Sequence, residues 1–114
     1  SGAADLNPAG QAEMTKLAAA LIDLAKEIPP EINWVLRVDG HTDNVPLSGN
    51  GRYPDNWALS SARAIAVVKF LIAQGVPADR LVAAGFGEFQ PIAPGDTPDA
   101  RATNRRIELK LTEK

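Results

Sequence analysis

Two side chains of opposite charge, Asp43 and Arg63, could together grip a ligand that carries an ammonium and a carboxylate on one carbon. Asp43 closes the run Gly40-His41-Thr42-Asp43 just past a predicted strand, where the loops of an open α/β sheet gather ligands. Arg63 follows Leu59 by four residues and Asn56 by seven, on nearly the same face of a predicted helix. Its neighbours Ala62, Ala64 and Ala66 are small and leave the guanidinium approachable. A ligand carboxylate would lie against Arg63 and the free N–H groups of the helix start at Asn56, and Asp43 would meet the ammonium. Each residue also has a plainer reading: Asp43 as a turn cap or the partner of a nearby base, Arg63 as a surface ion pair, Asn56 as a helix cap.

Other residues support or compete with that pair. Thr42 and backbone amides would complete the shell. Arg105 and Arg106 open the last strand; one is expected to pair with an acid, and the other, taken here as Arg105, to add positive potential to the pocket. His41 is the only histidine, and His41, Asp39, Asp43 and Asp55 follow no recognised ligand spacing, so neither a metal nor a cofactor is expected. Tyr53 and Trp57 offer rings on which a sugar could stack, but a Trp in a first helical turn reads more simply as a packing anchor. Glu88, Gln90 and Pro91 read as turn formers without a functional role.

The chain that positions these groups has 114 residues, enough for one domain over 1–114 with one core. A formal charge of -2 lacks the basic excess of a nucleic-acid binder. Cysteine is absent, so no disulfide or thiolate metal site forms. No run approaches the roughly 20 apolar residues of a membrane span, and the start lacks a signal-peptide pattern. No membrane contact is expected of this domain, and an export signal or anchor is expected outside these residues.

Asn7-Pro8 reads as a helix start, and Met14, Leu17, Leu21, Leu24 and Ile28 form an apolar stripe that Pro29-Pro30 ends. From Ile32 the pattern alternates, with Trp34, Leu36 and Val38 on one face and Arg37 and Asp39 on the other. Asn44 to Asp55 has the composition of an exposed loop. A second helix is predicted from Asn56 to Gln74, capped by Asp55 or Asn56 and closed by a left-handed Gly75. Leu81 to Phe86 reads as a strand covered on both faces, and Ile107, Leu109 and Leu111 mark a final strand with one wet face. The order is helix, strand, helix, strand, long loop, strand: an α/β fold, more narrowly an α+β sandwich with a mixed sheet and two main helices on one face.

Gly40-His41-Thr42-Asp43, Asn56-x-x-Leu59-Ser60-x-x-Arg63-Ala64, Gly85-x-Gly87-Glu88 and Asn104-Arg105-Arg106 together resemble the OmpA-like peptidoglycan-associating domains, most closely their MotB branch. The resemblance implies a β-α-β-α-β-β fold, its first strand truncated or very short here. It also implies a non-enzymatic wall anchor in the periplasm of a Gram-negative bacterium, attached to a membrane-anchored parent. Its partner would be peptidoglycan, gripped at the diaminopimelate of the stem peptide by Asp43 and Arg63, with Asn56, Thr42, Leu59 and Arg105 around them. On this reading Asp43→Ala and Arg63→Ala each abolish wall binding and leave the thermal midpoint nearly unchanged. The rivals are a homodimerisation domain that uses the apolar face of the second helix, and a hydrolase that pairs Asp43 with Asp39 or Glu88.

Overall fold

The computed structural model describes residues 8–45 and 53–114. The predicted cap at Asn7, the first strand and most of the Asn44 to Asp55 loop therefore lie outside the described residues. Along the chain come α1 (Pro8–Glu27), β1 (Trp34–His41), α2 (Asn56–Ala73), a 3-10 turn (Ala78–Arg80), β2 (Leu81–Gly85), α3 (Pro98–Asn104) and β3 (Arg106–Glu113). The three described strands form one mixed sheet in the order β2-β1-β3, β2 parallel and β3 antiparallel to β1.

Alternation along β1 sorts its side chains between two environments. Trp34, Leu36 and Val38 meet Ala18 and Leu21 of α1 and Ala64, Val67 and Leu71 of α2 in one core. The α1 stripe packs on the core as predicted through Met14, Leu17, Leu21 and Ile28, with Ala18 joining it, and of the stripe only Leu24 is exposed. The other face of β1 is closed as well: Val35, Asp39 and His41 are all buried. Polar side chains close over it: Arg37 donates two hydrogen bonds to the Asp39 carboxylate, at 2.7 and 2.9 Å, and His41 stacks on Phe86 with ring centroids 5.0 Å apart. Here β1 is the central strand and β2 an edge, so Val82 and Ala83 are exposed and the predicted double coverage of β2 does not occur. Ile107 and Leu109 pack on the core, whereas Leu111 is exposed.

Asp55, not Asn56, caps α2, its carboxylate accepting the Ala58 N–H at 2.8 Å. Gly75 ends the helix with φ 106°, the left-handed conformation that its sequence position predicted. Contrary to the sequence reading, α2 is long and apolar enough to cross a membrane. It packs Leu59, Ala64, Val67 and Leu71 into the core and leaves Trp57, Ile65 and Ile72 exposed.

Candidate functional site

Two glycines bring the start of α2 onto the ends of the strands. A Cβ at Gly40 would collide with the Ser60 carbonyl, and one at Gly85 with the backbone and hydroxyl of Ser61, so only glycine permits this approach. Gly87, at φ 64°, turns the chain after β2, and Ser60 Oγ accepts its N–H at 2.9 Å. The Gly87 carbonyl in turn accepts the Thr42 N–H at 2.9 Å. The loops after β1 and β2 are thereby tied to each other and to the first turns of α2.

On this frame Asp43 is 4% exposed and already engaged. One carboxylate oxygen accepts the Val45 N–H at 3.1 Å, and the other accepts Arg105 Nη1 at 2.8 Å. Each oxygen keeps a lone pair that a further donor can use. Arg63 donates Nη1 to the His41 carbonyl at 3.1 Å, which aims the guanidinium at the end of β1. Burial, and then the charge of Arg105, push the Arg63 pKa below its ordinary value against the opposing pull of Asp43. A guanidinium stays protonated at neutral pH through such a shift, so Arg63 and Arg105 present two positive charges beside the Asp43 carboxylate, with the acids Glu88 and Asp96 on the neighbouring cavity wall.

The remaining predicted residues divide between contact and support. Thr42 is buried and lines a cavity of about 140 Å³ with Asn44, Glu88, Ala93, Asp96 and Asn104, its hydroxyl donating to the Asp43 carbonyl at 2.9 Å. Asn56 spends its Nδ2 on the carbonyls of Asp43 and Val45 and on Glu88 Oε1, at 3.3, 3.1 and 3.5 Å. Its Oδ1 is buried without a partner among the described residues. Leu59 is 1% exposed, so its side chain supports the site from within the core and cannot touch a surface ligand. Arg105 stands against Asp43, whereas Arg106 pairs with Glu108 and donates to the Gln90 carbonyl at 2.9 Å.

Sequence reasoning missed α3 and what it carries. Thr97 caps it, accepting the Ala100 N–H at 3.1 Å, with Pro98 and Asp99 in its first turn. Those start signals are present in the sequence, but seven residues are too few to show an apolar stripe. At its end Asn104 is buried, holding the Ile92 and Ala93 N–H groups at 2.9 and 3.0 Å and the Ala93 carbonyl at 3.0 Å. This clamp shapes one wall of the cavity and delivers Arg105 to Asp43. Asn44 and Asp96 bond across the mouth. Glu88 and Pro91, read as mere turn formers, also line the cavity.

Alternative assignments meet this geometry as well. Asp39 is 1% exposed and both of its carboxylate oxygens are engaged by the Arg37 fork. Among the described residues no three His, Cys, Asp or Glu side chains converge as a metal site would require. Trp57, expected to be a packing anchor, is 51% exposed and leans on Phe89, itself 56% exposed.

Comparison with known proteins places these features in context. The OmpA family model matches residues 1–105. The probable lipoprotein YiaD of Escherichia coli is 38% identical over 112 residues, which are 98% of this chain and 46% of that protein. The peptidoglycan-binding protein ArfA of Mycobacterium tuberculosis is 40% identical over 72 residues, 63% of this chain and 21% of its own length. Among solved structures, a MotB-like protein from Desulfovibrio vulgaris superposes with a TM-score of 0.84 at 31% identity, over 99% of this chain and 65% of that one. The chain thus spans less than half the length of these curated relatives.

Proposed function

Because this chain belongs to the OmpA family, we propose that it is a non-catalytic module that binds peptidoglycan through the diaminopimelate of the stem peptide and so anchors an envelope protein to the wall. The observation that carries the reading is the Asp43, Arg105 and Arg63 cluster beside the cavity at the carboxyl end of β1. Such a cluster suits a zwitterion. The free lone pairs of Asp43 accept the ammonium, and the N–H groups of Arg63 not used on His41 fork onto the carboxylate. Arg105 adds positive charge while it holds Asp43 in place. Thr42 and Asn56 set the loop that carries Asp43. The peptidoglycan-binding relative ArfA supports the partner, and the MotB-like and lipoprotein relatives support a membrane-anchored parent. We place the domain in the periplasm of a Gram-negative cell.

Affinity at one site is modest because a single head group offers few contacts, and anchoring comes from many copies on one polymer. Calorimetric titration with a diaminopimelate stem peptide and its lysine counterpart tests the reading. The lysine peptide lacks the side-chain carboxylate, so saturable binding of the diaminopimelate form alone is expected. Equal binding of both would remove the Arg63 clamp from the account. Sedimentation at two concentrations tests the homodimer that Ile65 and Ile72 would have to mediate.

A further inference from the structure

Trp57 and Phe89 form an exposed aromatic pair that core packing does not account for. Their ring centroids lie 5.1 Å apart at an interplanar angle of 30°, and about half of each residue faces water. Backbone geometry holds them together, because a Cβ at Gly87 would sit 3.4 Å from the Trp57 ring and 3.3 Å from the Phe89 ring. Any larger residue at position 87 would crowd the pair and strain a backbone at φ 64°. Rings kept in water by such an arrangement mark a contact surface.

The position of the pair narrows the occupant. Trp57 directly follows Asn56, and Phe89 directly follows Glu88; the Asn56 amide and Glu88 carboxylate meet at 3.5 Å. Glu88 also lines the cavity, whose wall mixes the hydrogen-bonding groups of Thr42, Asn44, Asp96 and Asn104 with apolar residues. An apolar ring surface thus borders a set of hydrogen-bonding groups. A pyranose ring has that same division, with C–H bonds on one face and hydroxyl or amide groups around its rim. Two half-exposed rings cover at most a few hundred Å², well short of the roughly 800 Å² that each partner buries in a stable protein interface. The area fits one or two sugar rings.

We propose that Trp57 and Phe89 form a sugar-stacking subsite that holds a pyranose ring of the glycan strand next to the head-group site. The proposal rests on the peptidoglycan reading above and adds a second, chemically distinct contact to it. Stacking of this kind is worth about three- to tenfold in affinity.

The test compares one diaminopimelate stem peptide, free and attached to its disaccharide, on wild type, Trp57→Ala, Phe89→Ala and Trp57→Tyr. The wild type should bind the sugar-bearing form about three- to tenfold more tightly than the bare peptide. Trp57→Ala and Phe89→Ala should erase that increment and leave bare-peptide affinity and the thermal midpoint unchanged, while Trp57→Tyr retains most of it. Equal binding of both ligands by the wild type overturns the subsite and leaves the head-group reading standing. An equal loss for both ligands in Trp57→Ala makes the ring structural and overturns it too. So does an intact increment accompanied by altered self-association in sedimentation, which assigns the rings to a protein contact. Binding of neither ligand by the wild type sinks both proposals.

Discussion

Replacing Arg63 with methionine removes the guanidinium and keeps an apolar stem of similar length, so it separates charge from packing. In the folded protein the change deletes one hydrogen bond, the 3.1 Å contact with the His41 carbonyl. A hydrogen bond from a charged donor contributes about 1.5–3 kcal/mol. Against that loss stand the burial of the guanidinium and its repulsion from Arg105, the two effects that depress its pKa. These terms oppose each other, and the net change in stability should stay within about 1 kcal/mol, or roughly 4 °C for a domain of this size. Binding has no such offset. Removing one partner of a desolvated, hydrogen-bonded charge pair costs about 2–4 kcal/mol, a loss of roughly 30- to 1,000-fold in affinity for the diaminopimelate peptide. Arg63→Lys keeps a point charge without the planar fork and should fall between wild type and methionine. Calorimetric titration and thermal melting of the three proteins read both quantities. If Arg63→Met bound normally, or melted more than about 10 °C early, the guanidinium would be a structural strut and the reasoning refuted.

Asp43→Ala behaves differently from the sequence-based expectation of an unchanged melting point. It orphans the Val45 N–H and frees Arg105, so a loss of about 2–3 kcal/mol, roughly 10 °C, should accompany the loss of binding in a melting curve. Gly40→Ala drives a methyl into the Ser60 carbonyl and should cost more than about 3 kcal/mol in denaturant unfolding. His41 is held below its ordinary pKa by burial first and by Arg106 second, with Lys110 adding to them and Glu108 and Asp39 opposing. Because the unfolded chain then binds the proton more readily, stability is full above about pH 6.5 and declines as pH falls below it. His41→Phe should flatten that slope in melts between pH 7.5 and 5. Glu108 is depressed mainly by its hydrogen bond from Arg106, so its contribution is present above the usual carboxylate range and is lost in more acidic melts.

Much of this architecture is encoded locally. The alternation from Trp34 to Val38 specifies a strand, the spacing of Leu59, Ala66 and Phe70 a helix, and Gly75 its left-handed end, because each depends on residues within a few positions. The pairing of Asp43 with Arg105 is of another kind, since 62 residues separate them. α3 brings them together, and its seven residues carry a cap and a proline without the periodicity that betrays longer helices.

The sequence by itself determined the two long helices, the three described strands and which residue types could grip a zwitterion, through backbone preference, capping and side-chain period. Only the tertiary structure decided which faces are covered and which charges meet. Among the described strands the order β2-β1-β3 made β1 central, closed a polar layer over Asp39 and His41, and left β2 as an edge. The same assembly sent Leu59 into the core, committed Asp43 to Arg105, and kept Trp57 and Phe89 in water beside the site. Burial and long-range electrostatics are sums over neighbours that the linear chain does not adjoin, so they come into being only when the sheet assembles.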